Sequence, residues 1–194
     1  MCSSDLSSPL RESATMLPRD FLSAVAHRLW WLWTWGWRGA IVGGLVGVAV
    51  AGFLWSLDQV TGLFWRHPAL FWALPGLGWL GAQLYERLGG DSTAGTNLIL
   101  DQIHQPGGGV PLRMAPLVWV ATLLTHLGGG SAGREGTAVQ MGGGIAGGLA
   151  RWWRLRGPDL SQLLLCGVAA GFGAVFGTPL AGTIFAMEVL TQGQ

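Results

Sequence analysis

The chain has 194 residues, half of them apolar, with 11 basic and 10 acidic side chains and a net charge of +1. A soluble domain carries charge on about a quarter of its residues; at 11% this chain lacks the charge to wet a full surface, and its balance near neutrality excludes a nucleic-acid partner. The two cysteines, Cys2 and Cys166, have neither disulfide nor metal-site spacing, so no metal and no cofactor is expected.

Residues 1–17 are polar and include Arg11 and Glu12; with no apolar core they are not a signal peptide, and they read as a disordered or extraneous leader. Trp30, Trp31, Trp33, Trp35 and Trp37 then crowd a short stretch beside Arg28 and Arg38. Tryptophan favours the membrane–water interface, where its ring is buried and its N–H stays wet. Residues 18–37 are therefore expected to form an interfacial helix leading into a transmembrane domain over 38–194. Arg11, Arg19, Arg28 and Arg38 precede the first span, which puts the N-terminus on the cytoplasmic side of a cell (inner) membrane, although Asp5, Glu12 and Asp20 dilute the bias.

Four segments carry no Asp, Glu, Lys or Arg: residues 39–57, 68–85, 114–133 and 160–187. Each approaches the roughly 20 apolar residues that cross a bilayer as a helix. The expected elements are a first span over about 39–63, a turn at Trp65–His67 and a second helix over about 68–88. DSTAGTNLILDQIH, residues 91–104, is too short to span, with Asp91 and Ser92 as candidate N-caps. The PGGG at 106–109 is a loop, a third span covers about 111–127, and a weaker apolar helix starts near Glu135 and ends at Trp153. The block 160–190 is interrupted by Gly177, Thr178 and Pro179, so it reads as two helices meeting at a break. Glycines four apart, at Gly43/Gly47, Gly143/Gly147, Gly144/Gly148, Gly167/Gly171 and Gly173/Gly177, suit close helix packing in lipid. The fold class is all-α and membrane-integral, with broken and partly spanning helices of the kind that line ion or substrate sites.

The stretch GGGSAGREGTAVQMGGG, residues 128–144, sets Arg134 and Glu135 between apolar runs at the mouth of a helix. A helix N-terminus offers unpaired N–H donors and partial positive charge, which attract an anion without holding it irreversibly. A carboxylate there would compete with the anion when ionised and release the site when protonated. An interfacial ion pair at a helix end accounts for the same two residues equally well. Two other matches fail on context. Residues 129–133 fit G-x-S-x-G, but none of His27, His67, His104 and His126 follows Ser131, as an intramembrane serine hydrolase would require, so no catalytic residue is assigned. Residues 142–147 fit G-x-G-x-x-G without a strand before them. His126 reads as a helix residue with a polar neighbour.

Gly133, Arg134, Glu135 and Gly136, followed by VQMGG at 139–143, resemble the G-[KR]-E-G-P signature of the CLC chloride channels and proton-coupled transporters. GFGAVFGTPLAGTIFAME, residues 171–188, is similar to that family's next stretch. The likeness covers about residues 35–192. It implies halide transport, of chloride or fluoride, coupled to protons and embedded in a lipid bilayer, with Glu135 as the gate. Two short helices would aim their N-termini at the anion, drawing on Ala94, Gly95, Thr96 and Asn97 in one and on Arg134, Gly136 and Thr137 in the other. The family's G-S-G-I-P falls on residues 93–97, so its coordinating serine is Ala94, with Ser92, Thr93 and Thr96 nearby; the proline of the gate signature is Thr137, and the second, inner glutamate is Val189. Loss of both serine and inner glutamate resembles the fluoride/proton antiporter branch, while loss of the inner glutamate alone also fits a passive chloride channel. The family fold pairs two inverted repeats and works as a homodimer. This sequence resembles the first repeat, so a fragment is the simpler expectation and an assembling half-size protein the other; an inactive membrane fragment is the reading from a different class.

Overall fold

The computed structural model describes residues 17–105 and 107–191. Nearly all of the expected leader, and Pro106 of the expected loop, lie outside the described residues. Every regular element among them is helical: α1 (Leu17–Arg66), a 3-10 turn (Pro68–Ala73), α2 (Leu74–Leu88), a second 3-10 turn (Gly90–Ala94), α3 (Thr96–His104), α4 (Met114–Leu127), α5 (Arg134–Trp152), α6 (Pro158–Phe176) and α7 (Pro179–Thr191). Two units result, Met1–Arg38 and Gly39–Gln194.

In the first unit the tryptophans lie on α1, and Trp30, Trp31, Trp33 and Trp37 are all exposed. The Arg38 guanidinium stands 5.4 Å from the Trp35 ring centroid and 5.7 Å from that of Trp37, within cation–π range. The helix runs to Arg66, past the expected turn at Trp65, because isolated glycines such as Gly36 and Gly39 weaken a helix without stopping it.

In the second unit, residues 39–66 of α1 bury a narrow stripe, Val42, Val46, Val50, Phe53 and Leu57, at spacings of three and four. Leu45, Val48 and Trp55 on the other faces are exposed, Val48 by 76%. A stripe buried against protein and apolar faces left outside is the pattern of a helix in lipid. The stripe meets α4: the Phe53 and Trp119 rings pack edge to face at 6.3 Å, and Trp119 Nε1 donates to Ser56 Oγ at 3.0 Å.

Several expected boundaries move. The second helix is divided, because Pro75 has no N–H to give a helix interior and instead occupies the first turn of α2. The third span shortens to α4, residues 111–113 being spent on a turn in which the Met114 N–H donates to Pro111 O at 3.1 Å. Its 14 residues reach about 21 Å, against a hydrocarbon core of about 30 Å. Of the four uncharged segments, two lie on helices long and apolar enough to cross a bilayer, 23–66 and Pro158–Phe176. The break at 177–179 stands where expected: Gly177 takes φ 67° at the end of α6, and the Thr178 N–H returns to Gly173 O at 3.1 Å.

Glycine lets backbones touch where α5 meets α6. A Cβ on Gly142 would strike Gly167 O, one on Gly167 would strike Gly142 O, and one on Gly171 would strike Ala138 O. Gly147 lies against Val110 in the same way, and Gly182 of α7 against Ala169. Gly43 and Gly47, by contrast, face open space.

Candidate functional site

Gly133 caps α5 in an extended conformation (φ −69°, ψ 116°) with no side chain bonded to the exposed N–H groups of the first turn. Arg134 and Glu135 open the helix, with Nε and Oε1 3.8 Å apart and side chains 60% and 44% exposed. That is the geometry of the ion-pair alternative, at a separation and exposure where such a pair contributes about 0–1 kcal/mol. Both residues line a cavity of about 640 Å³ together with Asp58, Thr61, His126 and Ser131. His126 Nδ1 lies 2.9 Å from Thr122 O; a carbonyl only accepts, so Nδ1 carries the proton and His126 has the polar helix neighbour expected of it.

α3 begins at Thr96, not at Asp91 or Ser92. Those two belong to the preceding 3-10 turn, and Gly95 is the cap, at φ 59° and ψ −132°, a conformation in which a Cβ would be strained. Again no side chain caps the helix. Ala94 and Asn97 are exposed; Thr96 is half-buried and accepts from Gln140 Nε2 at 3.1 Å. A second cavity, of about 330 Å³, is lined by Ser92, Thr93, Gly95, Thr122, Ala132 and Gln140, among others. Ser92 is 1% exposed and its Oγ has no hydrogen-bond partner, which makes it a donor without an acceptor at the wall of a polar cavity.

The two helix N-termini are tied together, but staggered. Gln140, which hydrogen-bonds α5 to α3, lies five positions beyond Glu135, about 7.5 Å further along the helix. Gly95 shares the inner cavity with Gln140, Glu135 lines the outer one, and Ala132 borders both. Gly136 faces open space. Thr137 is buried; its hydroxyl donates to Gly133 O at 3.0 Å and pairs with Thr122 Oγ1 at 2.8 Å. With its one proton committed to the Gly133 carbonyl, this hydroxyl secures the start of α5.

Sequence reading gave Gln140 no role, although it is the one long polar side chain in the AVQMGGGIAGG run at 138–148. Thr122 was also passed over. A lone threonine in an apolar helix attracts no notice, and its pairing with Thr137 depends on a tertiary contact.

Comparison with known proteins adds to this geometry. The family described as "Voltage gated chloride channel" matches residues 77–193. The "Chloride/fluoride channel protein" of Pseudomonas syringae pv. tomato is 49% identical over 150 residues, which is 77% of this chain and 33% of that protein. The "H(+)/Cl(-) exchange transporter ClcA" of Yersinia pestis bv. Antiqua is 42% identical over 77 residues, 39% of this chain and 16% of that one. A crystal structure of a CLC-type fluoride/proton antiporter superposes with a TM-score of 0.76 at 38% identity, covering 81% of this chain and 40% of that chain. This chain thus spans well under half the length of the relatives it matches.

Proposed function

The chain belongs to the voltage gated chloride channel family, an all-helical family of integral membrane proteins, and from that premise we propose that it supplies one half of a pathway carrying chloride or fluoride across the bilayer in exchange for protons, with Glu135 as the gate. The observation that carries this reading is the uncapped N-terminus of α5, with Glu135 in its first turn at the wall of a polar cavity. The N–H groups of Arg134, Glu135 and Gly136 are the anion donors at this mouth, and those of Thr96 and Asn97 at the mouth of α3, beside Ala94 where the family has serine; Gly95 shapes that mouth as its cap, its own N–H being donated to Ser92 O. Thr137 contributes by fixing the first turn of α5. The ionised Glu135 carboxylate takes an anion position; protonated, it withdraws. The membrane domain begins near residue 38, with the tryptophan-rich interfacial stretch before it, and the N-terminus is on the cytoplasmic side of a cell (inner) membrane, with the working protein a homodimer.

Fluoride is the preferred ion, on the loss of the coordinating serine at Ala94 and on 49% identity to a relative named for chloride and fluoride. A second reading, passive permeation, draws on Val189, which stands where proton-coupled chloride transporters of the family carry an inner glutamate.

The test grafts this chain's matching segment into the Pseudomonas relative and reconstitutes the graft in liposomes, with anion efflux and internal pH followed together. Fluoride is expected to leave much faster than chloride and to drive protons in the opposite direction. Glu135→Gln abolishes the proton movement, while Arg134→Gln, which breaks the same weak pair, preserves it. A Glu135→Gln graft that still moves protons against an anion gradient overturns the gate assignment. Anion flux without proton movement in the unaltered graft selects the passive reading.

A further inference from the structure

At the end of α5 opposite Glu135, Arg151 and Arg156 line a cavity of about 430 Å³. Its other walls are Gly107–Gly109, Gly147 and Gly157, with Leu155 and Leu160 at its apolar side. Neither guanidinium has an ion pair or hydrogen bond among the described residues. Two unpartnered guanidiniums on one concave wall leave a positive site without its counter-ion.

Three observations say what kind of anion fits. The Trp152 and Trp153 rings stack at 6.5 Å beside Arg151, and Trp152 is 76% exposed, so this end of α5 lies at the level where tryptophan meets the lipid headgroups. The cavity joins charge to apolar surface, as a headgroup phosphate attached to a glycerol ester requires and a free ion does not. The glycine wall is also fixed and neutral: the N–H groups of Gly107, Gly108 and Gly109 all donate to Gln102 Oε1, at 3.1, 2.9 and 2.7 Å, which leaves the two guanidiniums as the cavity's free donors. Arg154, between the two cavity arginines in sequence, takes φ 56°, a conformation that favours glycine.

We propose that the cavity between Arg151, Arg156 and the 107–109 glycines binds the phosphate of an anionic phospholipid headgroup, of the phosphatidylglycerol type. Guanidinium forks match phosphate oxygens in bidentate fashion, and an anionic headgroup leaves the charge uncancelled, whereas a choline headgroup carries its own cation. A positive charge placed only to orient the chain in the membrane needs no such cavity.

The 194-residue chain in neutral detergent, titrated with phosphatidylglycerol, phosphatidylcholine or inorganic phosphate and followed by native mass spectrometry, tests this. Phosphatidylglycerol is expected to be retained at one molecule per chain and phosphatidylcholine released. Arg151→Gln with Arg156→Gln is expected to weaken retention by about tenfold or more. Arg66→Gln, the same charge change at the far end of α1, leaves retention unchanged. Lysine at 151 and 156, which returns the charge without the bidentate fork, restores only part of it. Gln102→Glu keeps the acceptor for the three glycine N–H groups but sets a negative charge against the cavity wall, and it weakens binding with every arginine in place, a result that does not depend on the double variant folding. Competition by inorganic phosphate at matched concentration would assign the site to soluble phosphate. Equal retention of phosphatidylglycerol by the parent, the double glutamine variant and Gln102→Glu would overturn the proposal.

Discussion

Gly142→Ala probes the contact on which the second unit is built. The added Cβ would strike Gly167 O, lie 2.8 Å from Gly167 C and reach 3.4 Å from Gly171 N. All three are backbone atoms held in the α6 hydrogen-bond ladder, so no side chain can swing away and the helices must part. Overpacking of this kind costs about 3 kcal/mol, the upper end of its usual range. Alanine recovers about 1 kcal/mol through its better helix propensity, which leaves a net loss of about 2 kcal/mol. For a chain of this size that lowers the melting temperature by about 4–8 °C. Thermal unfolding in detergent, followed by circular dichroism, reads it directly. Gly43→Ala is the paired control. It makes the same chemical change in a helix with nothing within 4 Å of the new atom, so only the propensity gain remains and the melting temperature should rise by about 2–4 °C. Shifts of the same sign in both variants would refute the reasoning, since the argument rests on what the methyl group meets.

Four further outcomes follow. Thr137→Val leaves Thr122 without its buried partner and removes the bond to Gly133 O, for a cost of about 1–3 kcal/mol; in a cycle with Thr122→Val, melting curves should give a non-additive coupling, and strict additivity would contradict it. Trp119→Phe keeps the edge-to-face contact with Phe53 but gives up the Ser56 bond, a loss of about 1 kcal/mol measurable by chemical denaturation. Gln140→Leu removes the donor to Thr96 and should raise amide hydrogen exchange in the first turn of α3 before that in the middle of α6. Gly177→Ala places a side chain at φ 67° and should cost about 1–2 kcal/mol, again visible as a lowered melting temperature.

Much of the architecture was legible in the sequence because membrane helices announce themselves by the absence of charge, and Gly-Thr-Pro at 177–179 carries its own stop signal. Boundaries that depend on competition between local signals were not. Asp91 and Ser92 are good caps by residue type, yet α3 starts at Thr96 with Gly95 as its cap, because a glycine with positive φ makes the sharp entry and Ser92 is drawn into buried packing. Pro75 reads equally well as a helix interruption and as a first-turn residue, and only the fold decides between them. The mouth of α5 was visible as a charge pair amid glycine. Its link to α3 through Gln140 was not, since a single amide side chain leaves no periodic trace and its partner is 44 residues away.

The glycine seam fixes where motion can enter. Gly142 and Gly147 hold the middle of α5 against backbone on two sides, like a beam clamped along its length, with no soft side-chain layer to yield. Its first turn is different in kind: Gly136 has nothing within 4 Å, and the Gly133 position meets only the Glu135 side chain at 3.7 Å. Thr137 pins the backbone of that turn, so the freedom left at the tip is that of its side chains. A side chain carried there can turn through its own torsions while the shaft behind it stays still, with no repacking of helices.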